Sequence, residues 1–119
     1  MLKNVLIIGH KGYIGTILTN YLSKNLKDKI NIFGIDPNLF SLNNYSKKNF
    51  RIKKNFIEDC RNFKLKDIKF IPDVIIYLAA VSNDPMGREF KNATKEINFL
   101  SCIKLAKEAK RLGVRKFIF

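Results

Sequence analysis

Val5-Leu6-Ile7-Ile8-Gly9-His10-Lys11-Gly12-Tyr13-Ile14-Gly15 is the stretch that decides the fold. The all-apolar run from Val5 to Ile8 reads as a strand buried on both faces. It runs straight into Gly9, Gly12 and Gly15, spaced three apart, and an amphipathic segment begins at Tyr13. Strand, glycine turn and helix in this order form the geometry that holds a dinucleotide pyrophosphate. Gly9 turns the chain sharply off the strand. Gly12 brings the backbone to the phosphates with no Cβ in the way, and Gly15 lets the helix pack close to the sheet. The N–H groups of the first helical turn, from Tyr13 and Ile14 onward, then face the anion with the positive end of the helix dipole.

Glycine spacing alone is a weak signal, so the reading needs a second element. It requires an acidic residue at the end of the next strand, roughly 20 residues after the glycines. Ile30-Asn31-Ile32-Phe33-Gly34-Ile35-Asp36 supplies it. A carboxylate at Asp36 accepts the ribose hydroxyls of the adenosine half and repels the 2′-phosphate of NADP, which favours NAD. The alternative for Asp36 is a plain turn residue, since Asp36-Pro37-Asn38 is a good turn signal.

A chain of 119 residues fits one domain, 1–119, and an apolar content of 46% is enough for a packed core. No apolar run approaches the roughly 18–20 residues that cross a bilayer. Met1-Leu2-Lys3-Asn4 leads directly into the first strand, so a signal peptide is not expected. Cys60 and Cys102 lie in unrelated segments without metal-ligand spacing, and reduced thiols in a cytoplasmic protein are the natural reading. The net charge of +13 is large but spread over many elements, dense only from Lys47 to Lys54. Lysine far outnumbers arginine, the residue that reads bases and clamps phosphates. A solvated basic surface is therefore favoured over a nucleic-acid face.

Strand and helix alternate along the chain. Tyr13 to about Lys24 reads as a helix with an inward stripe of Ile14, Ile17, Leu18, Tyr21 and Leu22. Ile30–Ile35 is the second strand, Asp36 to Asn49 a polar loop with room for one short helical turn, and Phe50–Ile57 a third strand. Arg61 to Phe70 reads as a short helix that packs Phe63, Leu65, Ile68 and Phe70 inward. Asp73 to Leu78 is a strand, and Ala79 to Met86 a loop. A long helix is expected from about Glu89 to Leu112, burying Phe99, Cys102, Ile103, Ala106 and Ala109. Gly113 caps it, and Val114 to Phe119 opens a fifth strand. The pattern predicts an α/β fold with a doubly wound parallel sheet of Rossmann type, order 3-2-1-4-5. The ligand crevice then lies between the carboxyl ends of strands 1 and 4, where the glycine turn and the Leu78–Met86 loop converge.

Four segments, taken together, resemble the extended short-chain dehydrogenase/reductase superfamily, the NAD-dependent sugar-nucleotide epimerases, dehydratases and reductases. Gly9 to Gly15 looks like its Gly-x-x-Gly-x-x-Gly turn. Asp36-Pro37-Asn38 looks like its ribose-binding strand end. Glu58-Asp59-Cys60-Arg61-Asn62 is similar to its Gly-Asp-Ile-Arg-Asp segment, where Asp59 and Cys60 fall at the adenine contacts. Val74 to Ser82 resembles the strand and turn flanking the nicotinamide-side ribose, with Leu78, Ala79, Ala80 and Ser82 at the cofactor. Asn98 falls where the family commonly carries an Asn, although Phe99-Leu100-Ser101 replaces the small residues usual after it. Asp59 has the alternative reading of a strand-end turn, and Ser82 and Asn98 that of ordinary polar residues. His10 and Lys11 are expected to point to solvent or phosphate rather than to act as catalysts.

The resemblance implies NAD as cofactor, a sugar nucleotide as substrate, and a reaction in which NAD transiently takes a hydride from a sugar hydroxyl. It also implies a Ser or Thr and a Tyr-x-x-x-Lys pair that brings a phenol of pKa ≈ 10 toward neutrality. None of the tyrosines qualifies: Tyr13 leads to Ile17, Tyr21 to Asn25, Tyr45 to Asn49 and Tyr77 to Val81. By the family pattern those residues follow the strand in which the sequence stops at Phe119. The expectation is the N-terminal part of a longer enzyme, its sheet incomplete at the C-terminus, with no catalytic residue of its own and no turnover alone. A homodimer is expected only of the complete enzyme. The competing reading is a non-catalytic module that senses NAD.

Overall fold

Five parallel strands form one sheet in the computed structural model, which describes residues 1–39 and 51–119. The strands are β1 (Lys3–Ile8), β2 (Ile30–Ile35), β3 (Ile52–Phe56), β4 (Val74–Tyr77) and β5 (Lys116–Ile118), in spatial order β3-β2-β1-β4-β5. This is the predicted Rossmann-type order. β1 is central because its apolar residues need cover on both faces: Val5 pairs with Ile32 on one side and Val74 on the other.

Alternation along β1 divides the core. Leu6 and Ile8 join Phe33, Ile35, Ile75 and Tyr77 on the face covered by Phe63, Leu65 and Ile68 and by Cys102, Leu105 and Ala109. Each fully buried Leu or Ile there contributes about 1.5–3 kcal/mol. Val5, Ile7 and Ile32 form the opposite, smaller cluster, with Leu22, Val74, Ile76 and Leu78 at its margin. No described helix is long and apolar enough to cross a membrane.

Helix α1 (Tyr13–Asn25) has the expected span but buries a different face. Gly15 and Thr19 are its buried residues, whereas Ile14, Ile17 and Tyr21 of the expected stripe are each more than half exposed. The cause is Gly15. A Cβ there would run into the Gly9 carbonyl and the His10 backbone, so the helix axis lies close to the glycine turn and only its smallest face fits inward. Thr19 satisfies its buried hydroxyl by donating to the Gly15 carbonyl at 2.7 Å.

Three further expectations change. Arg61 to Phe70 is not a helix but a turn followed by one 3-10 turn, Leu65–Asp67. Phe63, Leu65 and Ile68 are buried as expected, and Phe70 lies 4.1 Å from Phe33 between ring centroids. The loop after β4 is shorter than Ala79 to Met86, because helix α2 (Asp84–Glu89) begins inside it. The Asn83 side chain caps that helix by accepting the Met86 N–H at 2.9 Å, and a proline sits in its first turn. The long helix is segmented into α2, α3 (Lys91–Lys95), a π turn (Glu96–Ser101) and α4 (Cys102–Leu112), capped by Gly113 at φ 82°. The π turn shifts the helical register, so Leu105 is buried while Phe99 and Ile103 are exposed. The third strand covers Ile52–Phe56; Phe50 and the loop beyond Leu39 lie outside the described residues.

Candidate functional site: the crevice at the carboxyl ends of β1 and β4

The glycine turn and the loop after β4 meet, as the strand order requires. Gly9 takes φ 84°, and a Cβ on it would stand 2.7 Å from the Ala79 nitrogen. Its N–H donates to the Ile35 carbonyl at 2.8 Å, which ties the turn to the end of β2 as well. Gly9 and Gly15 are therefore glycine for reasons internal to the fold. Gly12 is different. Its φ of −70° suits any residue, and a Cβ would meet only the Gly9 carbonyl oxygen, at 3.4 Å. The fold leaves open space there. Gly12 is also the N-cap of α1, no side chain caps the helix, and its first turn carries no acidic residue. The N–H groups of Tyr13, Ile14 and Gly15 thus open that space with the positive end of the helix dipole.

Asp36 stands beside this opening. One carboxylate oxygen accepts the Lys11 backbone N–H at 3.1 Å and the other accepts the Asn38 N–H at 2.8 Å. The turn reading and the site reading of Asp36 are thus compatible, since the carboxylate closes a turn onto Asn38 and grips the glycine turn together. A carboxylate has about four acceptor positions, and the described residues use two of those on Asp36. Asn38 sits at φ 65°, the left-handed region that Asn tolerates, and its Oδ1 accepts from Lys11 Nζ at 2.6 Å.

Lys11 therefore spans the edge of the site rather than pointing away, and His10 is not at the surface at all. His10 is 3% exposed, with its imidazole laid over Gly34 where a Cβ would be 2.5 Å from the ring. Neither ring nitrogen has a hydrogen-bond partner among the described residues. Burial holds its pKa below the ordinary value, so the neutral ring is favoured. Gly34, inside a strand, was the sequence signal for this: a strand glycine marks close approach of another group.

The segment after β3 closes the second side. Asp59 is held by Arg61 through Nη2 at 2.7 Å and Nε at 3.1 Å, and the guanidinium keeps its carboxyl below the ordinary carboxylate range. The Asp59 carbonyl also accepts the Asn62 and Phe63 N–H groups, so the turn reading is correct in part. Cys60 is 5% exposed; its side chain belongs to the core, and burial pushes the thiol's pKa up. The Cys60 sulfur lies 3.4 Å from the Tyr77 phenol, which donates to the Ile97 carbonyl. Burial and the thiol raise the Tyr77 pKa far above that of a free phenol.

On the third side, Leu78 donates its N–H to the Ile8 carbonyl at 2.8 Å, and Ala79 lies against Gly9. Ala80 and Ser82 are exposed at the mouth of the crevice. Asn98 reaches them indirectly. Its Oδ1 accepts the Val81 N–H at 2.8 Å and its Nδ2 donates to the Val81 carbonyl at 2.9 Å. Gly12, Asp36, Asp59, Ala79 and Asn98 are thereby attached to one continuous set of loops.

Known structures share this fold. The structure of a UDP-N-acetylglucosamine 4-epimerase from Methanobrevibacter ruminantium, in complex with UDP-N-acetylmuramic acid, is similar at TM-score 0.77 and 27% identity, over 99% of this chain and 37% of that one. An epimerase from Methanothermobacter thermautotrophicus is similar at TM-score 0.79 and 25% identity, over 98% of this chain and 34% of its own. A UDP-glucose 4-epimerase from Thermus thermophilus, in complex with NAD, shares the fold at TM-score 0.75 and 21% identity, over 98% of this chain and 36% of its own. The chain thus spans little more than a third of the length of these relatives. No curated protein matches it. The model of the NAD-dependent epimerase/dehydratase family matches residues 5–119. By that match over nearly its whole length, the chain belongs to the NAD-dependent epimerase/dehydratase family.

Proposed function

We propose that residues 1–119 form one NAD-binding domain and contribute the cofactor half of a sugar-nucleotide epimerase or dehydratase. NAD, when bound, supplies the hydride acceptor for oxidation of a sugar hydroxyl. The chain's own residues bind and orient it. Gly9, Gly12 and Gly15 shape the phosphate turn, and the N–H groups of Tyr13 and Ile14 face the pyrophosphate. Asp36 accepts the adenosine ribose hydroxyls, with Asn38 beside it. Asp59 and the Cys60 backbone flank the adenine. Leu78, Ala79, Ala80 and Ser82 flank the nicotinamide-side ribose, and Asn98 supports that loop. The observation that carries this reading is Gly12 at the N-terminus of α1, where among the described residues a Cβ would touch only the Gly9 carbonyl oxygen, so that close approach of a phosphate is the better reason for a glycine there.

The family resemblance implies proton transfer by a Tyr-x-x-x-Lys pair, and residues 1–119 contain no such pair. Tyr77, buried in the core at the end of β4, donates to the Ile97 carbonyl and is held protonated. That observation keeps a second reading in play, a non-catalytic module that senses NAD. Both readings share the cofactor and a cytoplasmic setting, where Cys60 and Cys102 remain buried free thiols. In the first reading, a sugar nucleotide and the remaining catalytic groups meet this domain in the functional enzyme.

The test is a calorimetric NAD titration of wild type and Gly12→Val, with thermal melts of both. We expect Gly12→Val to lose at least about tenfold in affinity, roughly 1.4 kcal/mol, with the fold retained and a melt lowered only by the modest cost of Val at a helix N-cap. Gly15→Val serves as the contrast, losing stability because its side chain meets backbone. Unaltered NAD affinity in Gly12→Val would mean that the glycines serve the fold alone.

A further inference from the structure

Gly87 has no reason within the described fold to be a glycine. It lies inside α2, its N–H donates to the Asn83 carbonyl at 2.9 Å, and a Cβ on it would meet no atom within 4 Å. Gly113 also has open space around it, but its φ of 82° accounts for it, and Gly87 has no positive φ. Glycine inside a helix is disfavoured against alanine, because it loses more backbone freedom on folding. A residue that weakens its helix and serves no internal contact marks a surface that something else approaches closely. That surface is a wall of an open pocket of about 350 Å³, the size of a small ligand site. Ser82, at the mouth of the crevice, lines the pocket too and joins it to the nicotinamide side.

The lining identifies the ligand chemistry. Asp84 can only accept hydrogen bonds and Arg88 can only donate them, and neither is in an ion pair among the described residues. Asn83 gives its Oδ1 to the helix cap, which leaves its amide N–H groups as donors. The Thr94 hydroxyl donates to the Phe90 carbonyl at 2.8 Å, which leaves its oxygen as an acceptor. A bare phosphate would meet Asp84 as a like charge. A hydroxylated ring uses donors and acceptors together. We propose that Gly87 and Arg88 form a sugar subsite that sets substrate preference. The pyranose ring of the substrate lies on the Cβ-free surface of Gly87, with Asp84 and Thr94 accepting from its hydroxyls. Arg88 donates to a carbonyl oxygen on a ring substituent, an acetamido or a carboxylate group, because its planar fork suits such oxygens better than it suits a hydroxyl. This rests on the sugar-nucleotide reading above.

The test is amide chemical-shift titration of the ¹⁵N-labelled full chain, first with NAD and then, with NAD present, with UDP-glucose, UDP-N-acetylglucosamine or UDP-glucuronate. We expect at least one of the two carbonyl-bearing nucleotides to bind about fivefold or more tightly than UDP-glucose and to shift Gly87, Arg88 and Thr94. A preference for UDP-glucuronate names the carboxylate as the group on Arg88, and one for UDP-N-acetylglucosamine names the acetamido group. Arg88→Gln should cut the preference below about twofold. Gly87→Ala should raise the melting temperature, since its methyl meets nothing, and weaken all three nucleotides. Equal affinities in wild type, a preference that survives Arg88→Gln, or a Gly87→Ala variant that gains stability without losing affinity would overturn the proposal. Sugar nucleotides that bind without shifts from Ser82 to Thr94 would overturn this subsite alone. A chain that shifts with NAD and binds no sugar nucleotide would overturn the sugar-nucleotide reading as well.

Discussion

At the scale of single residues, Asp36 and His10 show how one segment serves the fold and the site together. Asp36 holds the glycine turn through Lys11 with one oxygen and closes a turn onto Asn38 with the other. Replacing it with Ala removes the repulsion of a 2′-phosphate and leaves the Lys11 ammonium beside the same edge. Parallel titrations with NAD and NADP should therefore show wild type preferring NAD and Asp36→Ala narrowing the preference. Tighter NADP binding by wild type would contradict the assignment. His10 carries a pH signature. Its folded pKa lies below the ordinary 6.5, chiefly through burial, so the unfolded chain binds the extra proton first. Its contribution to stability is complete above pH 6.5 and is lost as pH falls from there through the folded pKa. Urea midpoints should decline across that window in wild type and be flatter in His10→Phe. Asp59, whose lowered pKa comes from Arg61, acts in a separate window below about pH 3.8, so the two are distinguishable.

At the scale of elements, the sequence was most legible where a local rule had no competitor. Val5 to Ile8 read as a central strand, and the run after Asp73, Val74 to Leu78, as its neighbour, because neither carries a charged face. The glycine spacing and Asp36 then located the crevice. What escaped depended on contacts between elements. Of the five apolar residues at helical spacing on α1, Leu18 and Leu22 are half-buried, Leu22 against Val5, Ile7 and Ile32, but Gly15 and Thr19 take the innermost places, since a helix pinned against the glycine turn has no room for Ile14 or Tyr21 inward. His10 read as pointing to solvent or phosphate because its own neighbours in sequence do not reveal its burial; the signal lay at Gly34 in β2, whose missing side chain leaves room for the imidazole. The π turn was hidden for the same reason: Phe99, Cys102, Ile103, Ala106 and Ala109 fit an unbroken α-helix. In the structure Ile97 and Asn98 of that turn bond Tyr77 and Val81, contacts between distant segments that no local pattern reveals. The turn and 3-10 segment after Asp59 bury Phe63, Leu65 and Ile68 without a helix, since a 3-10 turn's spacing also brings such residues to one side.

At the scale of the whole molecule, the two faces of the sheet are unequally served. The face toward α4 has a broad cluster that includes Phe63, Leu65, Leu105 and Ala109. The face toward α1 has three buried residues, with Ile76 half-buried on β4 and Ile118 on β5 about half exposed. The crevice lies where loops from both halves of the sheet meet, so a ligand bound there touches residues far apart in sequence. The measurement that tests this most directly is amide chemical-shift mapping of the ¹⁵N-labelled chain during an NAD titration. The account predicts saturable shifts concentrated at Gly9 to Gly15, Asp36, Asn38, Asp59, Cys60 and Ala79 to Ser82, with the exposed lysine face of α4 unmoved. An absence of shifts at millimolar NAD, or shifts confined to surface lysines such as Lys104, Lys107 and Lys110, would contradict it.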